Sequence, residues 1–322
     1  MKFRTEIEPG SLPFAIGHRN HLLMLGSCFT SSIGDFFSRY LFDVTINPFG
    51  TIYNPMSVAR NLEALLERKV YTHSDLYRHE DTWLSFDHYT AFSGTDREEV
   101  LSRINEAFIP ATEALRRADR LLLTFGTAWL YRLKATGQIV CNCHKVPASQ
   151  FERFRLDQET IVKVYKSLIS RLLSINPDLR ILFTVSPVRH WKDGAHGNQL
   201  SKAVLLLAIE ELVSSFPEHL AYFPAYELLL DDLRDYRFFD ADLLHPSDEA
   251  IEYIWEKFSA SALDAESRNL IGKLEPLLLG LAHRPSDPHD PRHLALIERL
   301  EKNAGELKKA FPAARWEKLK VR

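Results

Sequence analysis

The 322-residue chain has almost no excess charge, few cysteines and no long apolar run. Forty Lys and Arg residues against 43 Asp and Glu residues leave a net charge of −3. The protein therefore has no net positive field that would attract nucleic acid or an anionic membrane. The longest apolar runs, such as 203–209, are far shorter than the roughly 20 residues of a membrane span. We expect neither a nucleic-acid partner nor a membrane span.

Cysteine is scarce as well, with only Cys28, Cys141 and Cys143 in the whole chain. An odd number of cysteines in a chain of this length predicts reduced thiols rather than a disulfide framework, which favours a cytoplasmic location. The N-terminus lacks the pattern of a signal peptide, because Lys2 and Arg4 are followed by acidic and polar residues. Hydrophobic residues at 45% and charged residues at 26% are ordinary for a globular protein, which excludes a disordered or fibrous chain.

Short apolar runs alternate with amphipathic helical patterns, as is typical of an α/β fold. We predict a three-layer α/β/α domain with a flavodoxin-like parallel sheet over residues 1–262, interrupted by an insertion at about 69–115. The predicted strands are 21–26, 42–46, 120–126, 180–185 and 220–223. Strand–helix–strand alternation is what predicts parallel pairing.

From about residue 263 the sequence becomes more polar. A proline-rich break at 286–291 is followed by a charged helical pattern at 293–309. This segment has too few apolar residues for a core of its own. We therefore predict a helical C-terminal extension over 263–322, which packs outside the sheet layers and is the surface through which a homodimer would form.

The first candidate for chemistry is the end of the first predicted strand, where Gly26 is followed by Ser27, Cys28 and a helical pattern. In an open α/β sheet, such a turn presents a nucleophile at the carboxyl end of the strand and directs a helix N-terminus at it. The helix dipole and a neighbouring His would lower the pKa of Cys28 below the ordinary thiol value of about 8.5. Turns rich in Gly and Ser are also common without any function.

The second candidate is Asp242, three residues before His245 and just ahead of the last predicted core helix. Nucleophilic catalysis needs a base near the nucleophile and a group that holds the base in the right tautomer. An Asp at this spacing can hold the imidazole. The pair alone is a weak signal, because the chain contains 13 histidines.

Together the two motifs resemble those of the SGNH (GDSL-like) hydrolase superfamily. Residues 26–30 (GSCFT) more closely resemble the signature of the GSCFA family, an SGNH-related group of bacterial proteins, with Thr30 in place of the final Ala. Four further stretches are similar to this family and occur in the same order: 47–55, 125–129, 142–145 and 186–190. The resemblance spans roughly residues 24–258.

The resemblance implies an SGNH-like hydrolase or acyltransferase that acts on acyl esters, with an O-acylated carbohydrate as the expected substrate and no cofactor. Carried over position by position, it places the nucleophile at Cys28 and the base at His245. Asp242 becomes the orienting acid, and Gly50 an oxyanion donor. Ser27 is the alternative nucleophile if the turn is shifted by one residue.

The sequence departs from the superfamily pattern at 126–129, where it reads Gly-Thr-Ala-Trp instead of Gly-x-Asn-Asp. The missing Asn would supply an oxyanion donor, and losing one such donor typically costs ~10²–10³ in rate. Asn142 and His144 are our candidates for its replacement. This departure also motivates an alternative, in which the chain is a non-catalytic carbohydrate-binding or scaffold module.

The loop after the strand at 180–185 is rich in polar side chains. Arg189, His190 and Asn198 are expected to touch the substrate. A second alternative uses the same loop: His190, Asp193 and His196 recur at three-residue intervals, a spacing that could bind a catalytic divalent metal. This alternative predicts a metal-dependent hydrolase.

Overall fold

The computed structural model describes residues 4–284, 287 and 290–319. Its centre is a five-stranded sheet in which every neighbouring pair of strands is parallel. Over the described ranges the strands are β1 His21–Gly26, β2 Asp43–Ile46, β3 Tyr77–His79, β4 Thr82–Leu84, β5 Arg120–Phe125, β6 Trp129–Leu133, β7 Ile139–Val140, β8 Phe151–Arg155, β9 Arg180–Val185 and β10 Leu220–Phe223. The central order β10-β9-β5-β1-β2 confirms the predicted flavodoxin-like sheet.

Helices cover both faces of this sheet. They are α1 Cys28–Arg39, α2 Pro55–Leu66, α3 Arg97–Arg117, α4 Gln158–Ile175, α5 Gly194–Ser215, α6 Ala225–Glu227, α7 Asp248–Ala262, α8 Ala265–Ala282 and α9 Pro291–Ala310. None of the helices in the described ranges is both long and apolar enough to cross a membrane.

The three inner strands of the central sheet, β1, β5 and β9, are buried on both faces, and alternate residues belong to different cores. In β1, Leu23 and Leu25 belong to the core shared with α2, α3, α4 and α5, whereas Leu22 and Met24 belong to the core shared with α1, α7, α8 and α9. This follows from the two-residue period of a strand. A strand buried on both faces is continuously apolar, which explains why β1, β5 and β9 could be predicted. The result is the predicted three-layer α/β/α arrangement.

The segment predicted as an insertion, 69–115, contains a hairpin outside the central sheet and a helix that belongs to the main core. The β3–β4 hairpin lies outside the central sheet, and its Leu84 belongs to a separate small core. Helix α3, in contrast, buries Val100, Ile104 and Phe108 in the core that covers one face of the sheet. A second, three-stranded antiparallel sheet, in the order β7-β6-β8, lies between β5 and α4 in the chain and was not predicted.

The C-terminal extension packs on the domain. Leu270 and Leu274 of α8, together with Leu300 and Leu307 of α9, join the core on the α1 side of the sheet. Beyond α9, the Arg315 guanidinium pairs with Asp43 at the start of β2. Residues 286, 288 and 289 of the predicted proline-rich break at 286–291 lie outside the described residues.

Candidate active site

A cleft of about 390 Å³ opens at the carboxyl ends of the central strands. Ser27 and Cys28 follow β1, Thr127 follows β5 and Ser186 follows β9, and all four line the cleft. Residues of β6 and β8 in the second sheet, among them Tyr131 and Arg153, also line it. Because the strand order reverses between β1 and β5, this is the topological switch point, where open α/β sheets bind ligands.

The turn after β1 depends on its glycine. Gly26 has φ +151°, and a Cβ atom there would lie 2.3 Å from the carbonyl oxygen of Thr124, so a larger residue cannot be accommodated without backbone movement. Ser27 is the N-cap of α1 and Cys28 is its first residue. Ser27 is 1% exposed and its Oγ has no hydrogen-bond partner among the described residues, whereas Cys28 is partly exposed. Both predicted nucleophiles therefore lie at the cleft, and Cys28 is the more accessible.

The prediction of a lowered Cys28 pKa is wrong. Burial raises the pKa of this thiol, because desolvation penalises the thiolate. The N–H groups of Phe29 and Cys28 and the charge of Lys202 act in the opposite direction but are outweighed. Cys28 is therefore a neutral thiol at rest, and its proton must be removed during any attack that it makes.

Asp242 holds His245 at the mouth of the cleft. His245 Nδ1 lies 2.6 Å from Asp242 Oδ2, and Asp242 Oδ1 accepts the backbone N–H groups of Leu244 at 2.8 Å and His245 at 2.9 Å. These hydrogen bonds lower the pKa of Asp242 to about 2. With Nδ1 donating to the carboxylate, the lone pair is on Nε2, since the ring's one hydrogen bond to a described residue is made by Nδ1. Since His245 lines the cleft, Nε2 is the nitrogen that can accept a proton there.

Lys202 was not predicted as part of the site. Its fully buried side chain donates from Nζ to the carbonyl oxygens of Gly126 at 2.7 Å and Ser186 at 2.6 Å, just beyond β5 and β9. Burial lowers the pKa of Lys202 to about 7. One signal in the sequence could have indicated that Lys202 is buried. It lies three residues before Leu205 and seven before Ile209, which places it on the inward face of α5.

Two of the three residues predicted to touch the substrate in the loop after β9 line the cleft, and the third does not. Arg189 and His190 line the cleft, and the Arg189 guanidinium also lies 4.7 Å from the Phe239 ring centre. His190 Nε2 is buried without a partner among the described residues, and burial lowers the pKa of this ring to about 3. Asn198 does not line the cleft. Its Oδ1 accepts the His190 N–H at 3.0 Å, so it supports the loop from behind.

The structure does not assemble the metal site of the second alternative. Asp193 is paired with the Arg153 guanidinium, and His196 is exposed on α5 away from the cleft. Across the described ranges, no group of three or more His, Cys, Asp or Glu side chains is arranged to hold a metal ion.

The three predicted oxyanion donors lie elsewhere. The Gly50 N–H donates to the Asn47 carbonyl oxygen at 2.8 Å within a turn. Asn142 Nδ2 donates to Thr90 Oγ1 at 3.2 Å, and the His144 ring is held by the Ser85 carbonyl oxygen at 2.9 Å and Ser93 Oγ at 3.1 Å. Gly50, Asn142 and His144 are absent from the cleft wall, which instead contains Tyr53 and Asn54.

Comparison with known proteins gives one family. The model of the GSCFA family matches residues 21–258. No curated protein matches the sequence at a significant level. A solved structure from Streptococcus pneumonia, whose description refers to platelet activating factor, is similar with a TM-score of 0.39 and 11% sequence identity, over 75% of this chain and 83% of that chain.

Proposed function

Since the chain belongs to the GSCFA family, we propose that it is an SGNH-like acyl-transfer enzyme that cleaves acyl esters. Cys28 is the nucleophile, His245 the general base and Asp242 the group that orients the base. The observation that carries this proposal is the shared cleft: the accessible Cys28 thiol and the Asp242-bound imidazole line one cavity at the switch point of the sheet.

In the first half-reaction, the Cys28 sulfur attacks the ester carbonyl carbon while His245 Nε2 takes the thiol proton. Asp242 stabilises the imidazolium that forms. The tetrahedral intermediate collapses, the carbon–oxygen bond of the ester breaks, and His245 returns the proton to the departing alcohol. A thioester on Cys28 is left. This order of steps suits a thiol whose pKa is raised, because proton removal and attack occur together.

In the second half-reaction, water gives a proton to His245 and attacks the thioester carbonyl carbon. The carbon–sulfur bond breaks, the carboxylic acid leaves, and His245 returns the proton to the Cys28 sulfur. If an alcohol replaces the water, the same steps transfer the acyl group to that alcohol. The cleft thus supports hydrolysis and acyl transfer by one mechanism.

The wall of the cleft supports an O-acylated carbohydrate as the substrate. Trp129 and Tyr131 of β6 line it together with Trp191, whose side chain is 51% exposed. Aromatic rings offer broad apolar faces with a polar edge, which match the C–H faces and hydroxyl groups of a sugar. Arg153 and Lys192 on the same wall supply hydrogen-bond donors.

The experiment is a comparison of initial rates on p-nitrophenyl acetate and on an O-acetylated sugar. Cys28→Ala and His245→Gln should each abolish turnover of both substrates. Cys143→Ala is the matched control, because Cys143 is also a partly exposed thiol but does not line the cleft. Full activity in Cys28→Ala would refute the proposal, and loss of activity only in Ser27→Ala would move the nucleophile to Ser27.

A further inference from the structure

Attack on an ester creates a negative charge on the carbonyl oxygen, and the first two backbone N–H groups after β5 are already committed. The N–H groups of Gly126 and Thr127 both donate to the carbonyl oxygen of Tyr53, at 2.7 and 3.0 Å. They belong to the Gly-Thr-Ala-Trp stretch that lacks the superfamily Asn. These two N–H groups are not free for an oxyanion, so a side-chain donor that replaces the missing Asn must come from another element.

Asn54 lies on the cleft wall with Cys28, next to Tyr53. It is the N-cap of α2, and its Oδ1 accepts the backbone N–H of Ser57 at 2.9 Å. This bond fixes the orientation of the amide, because the end that accepts must be the oxygen. The nitrogen Nδ2 is then the free end, because the one side-chain hydrogen bond of Asn54 to a described residue is made by Oδ1.

The environment of Asn54 favours an anion. The residue is only 5% exposed, so a hydrogen bond from its amide would form in a largely desolvated place. The N-termini of α1 and α2 both lie at the cleft, at Cys28 and Asn54, and each carries a partial positive charge.

We propose that the Asn54 side-chain amide is the oxyanion donor of this site, in place of the Asn that is missing at 126–129. This inference rests on the proposed function. The choice of residue supports it, because Asp or Ser would cap α2 about as well, whereas of these three only Asn also presents an N–H₂ group. A carboxylate in the same place would instead repel the developing charge.

Asn54→Asp separates the role of Asn54 as the N-cap of α2 from its proposed role as the oxyanion donor. It keeps a capping oxygen and the shape of the side chain, so the thermal unfolding midpoint should stay close to that of the wild type. The kcat should fall ~10²–10³-fold, as for other oxyanion donors, with a small change in KM. Asp157→Asn, at the N-cap of α4 and away from the cleft, is the matched control. It should leave the unfolding midpoint and kcat unchanged. Asn54→Ser is a second capped variant and should also lose kcat.

An aldehyde inhibitor gives a readout that a purely structural role would not change. It forms a hemithioacetal with Cys28 whose oxygen occupies the oxyanion position. Its inhibition constant should rise in Asn54→Asp by a factor similar to the loss in kcat/KM. Wild-type kcat and wild-type inhibition in Asn54→Asp, with Cys28→Ala inactive, would overturn this inference alone. Full activity in Cys28→Ala would overturn the proposed function and this inference with it.

Discussion

Lys202→Met is expected to destabilise the protein by an amount that depends on pH. The wild-type amine is fully buried and bonds to the carbonyl oxygens of Gly126 and Ser186. Methionine has a similar length but no donor, so both carbonyl groups lose this partner. An unpaired buried polar group costs about 1–3 kcal/mol. Part of this cost is offset, because burying methionine does not require an amine to be desolvated. We expect the free energy of unfolding to fall by about 2 kcal/mol at pH 7.

The pH dependence comes from the pKa of about 7 in the folded state, below the ordinary value of 10.5. Between these two values the unfolded chain binds the proton and the folded protein does not. Folding stability therefore rises with pH in this window. From pH 7 to pH 9.5 the gain is about 3 kcal/mol for the wild type. Lys202→Met lacks this gain, so its deficit should grow to about 5 kcal/mol at pH 9.5.

The assay is urea unfolding of both proteins at several pH values from 7 to 9.5. Lys163→Met, at an exposed position on α4, is the control and should follow the wild type throughout. A deficit that stays constant with pH would refute the assigned protonation of Lys202. A variant as stable as the wild type at every pH would refute the structural role of its two hydrogen bonds.

Three further predictions concern the turn and the dyad. Asp242→Asn should lower kcat by ~10²–10⁴-fold in ester hydrolysis, because an amide no longer selects the His245 tautomer with a free Nε2; an unchanged rate would contradict the dyad. Gly26→Ala should lower the free energy of unfolding in urea by at least ~2 kcal/mol, since its Cβ would meet the Thr124 carbonyl oxygen. The control Gly272→Ala, in open space on α8, should be neutral or stabilising. Iodoacetamide should label Cys28 slowly at pH 7 and faster above pH 9, because burial raises its pKa; rapid labelling at pH 7, measured by peptide mass spectrometry, would contradict this.

The parts of the fold and site that could be predicted depend on local signals. Strands β1, β5 and β9 are mostly apolar runs that end at a small residue or just before one, so each can be recognised alone. Asp242 and His245 are neighbours in the chain, and their pairing follows from spacing. The sheet formed by β6, β7 and β8 could not be predicted, because its strands are partly polar, with Arg132 and Arg153 inside them.

Lys202 and Asn54 could not be assigned from the sequence for a different reason. A helical lysine is normally exposed. Lys202 is buried because two carbonyl groups, 76 and 16 residues away in the chain, converge on its amine. The Asn54-Pro55 pair is fully explained as a helix start when the sequence is considered alone. Only the fold shows that this helix starts at the cleft that contains Cys28.

The most direct test of the proposed mechanism is intact-protein and peptide mass spectrometry after rapid mixing with p-nitrophenyl acetate and acid quenching. We expect a transient increase equal to one acetyl group, located on Cys28 and absent from Cys28→Ala. An acetyl group on Ser27, or steady turnover with no adduct on Cys28 at any mixing time, would contradict the assignment of Cys28 as the nucleophile.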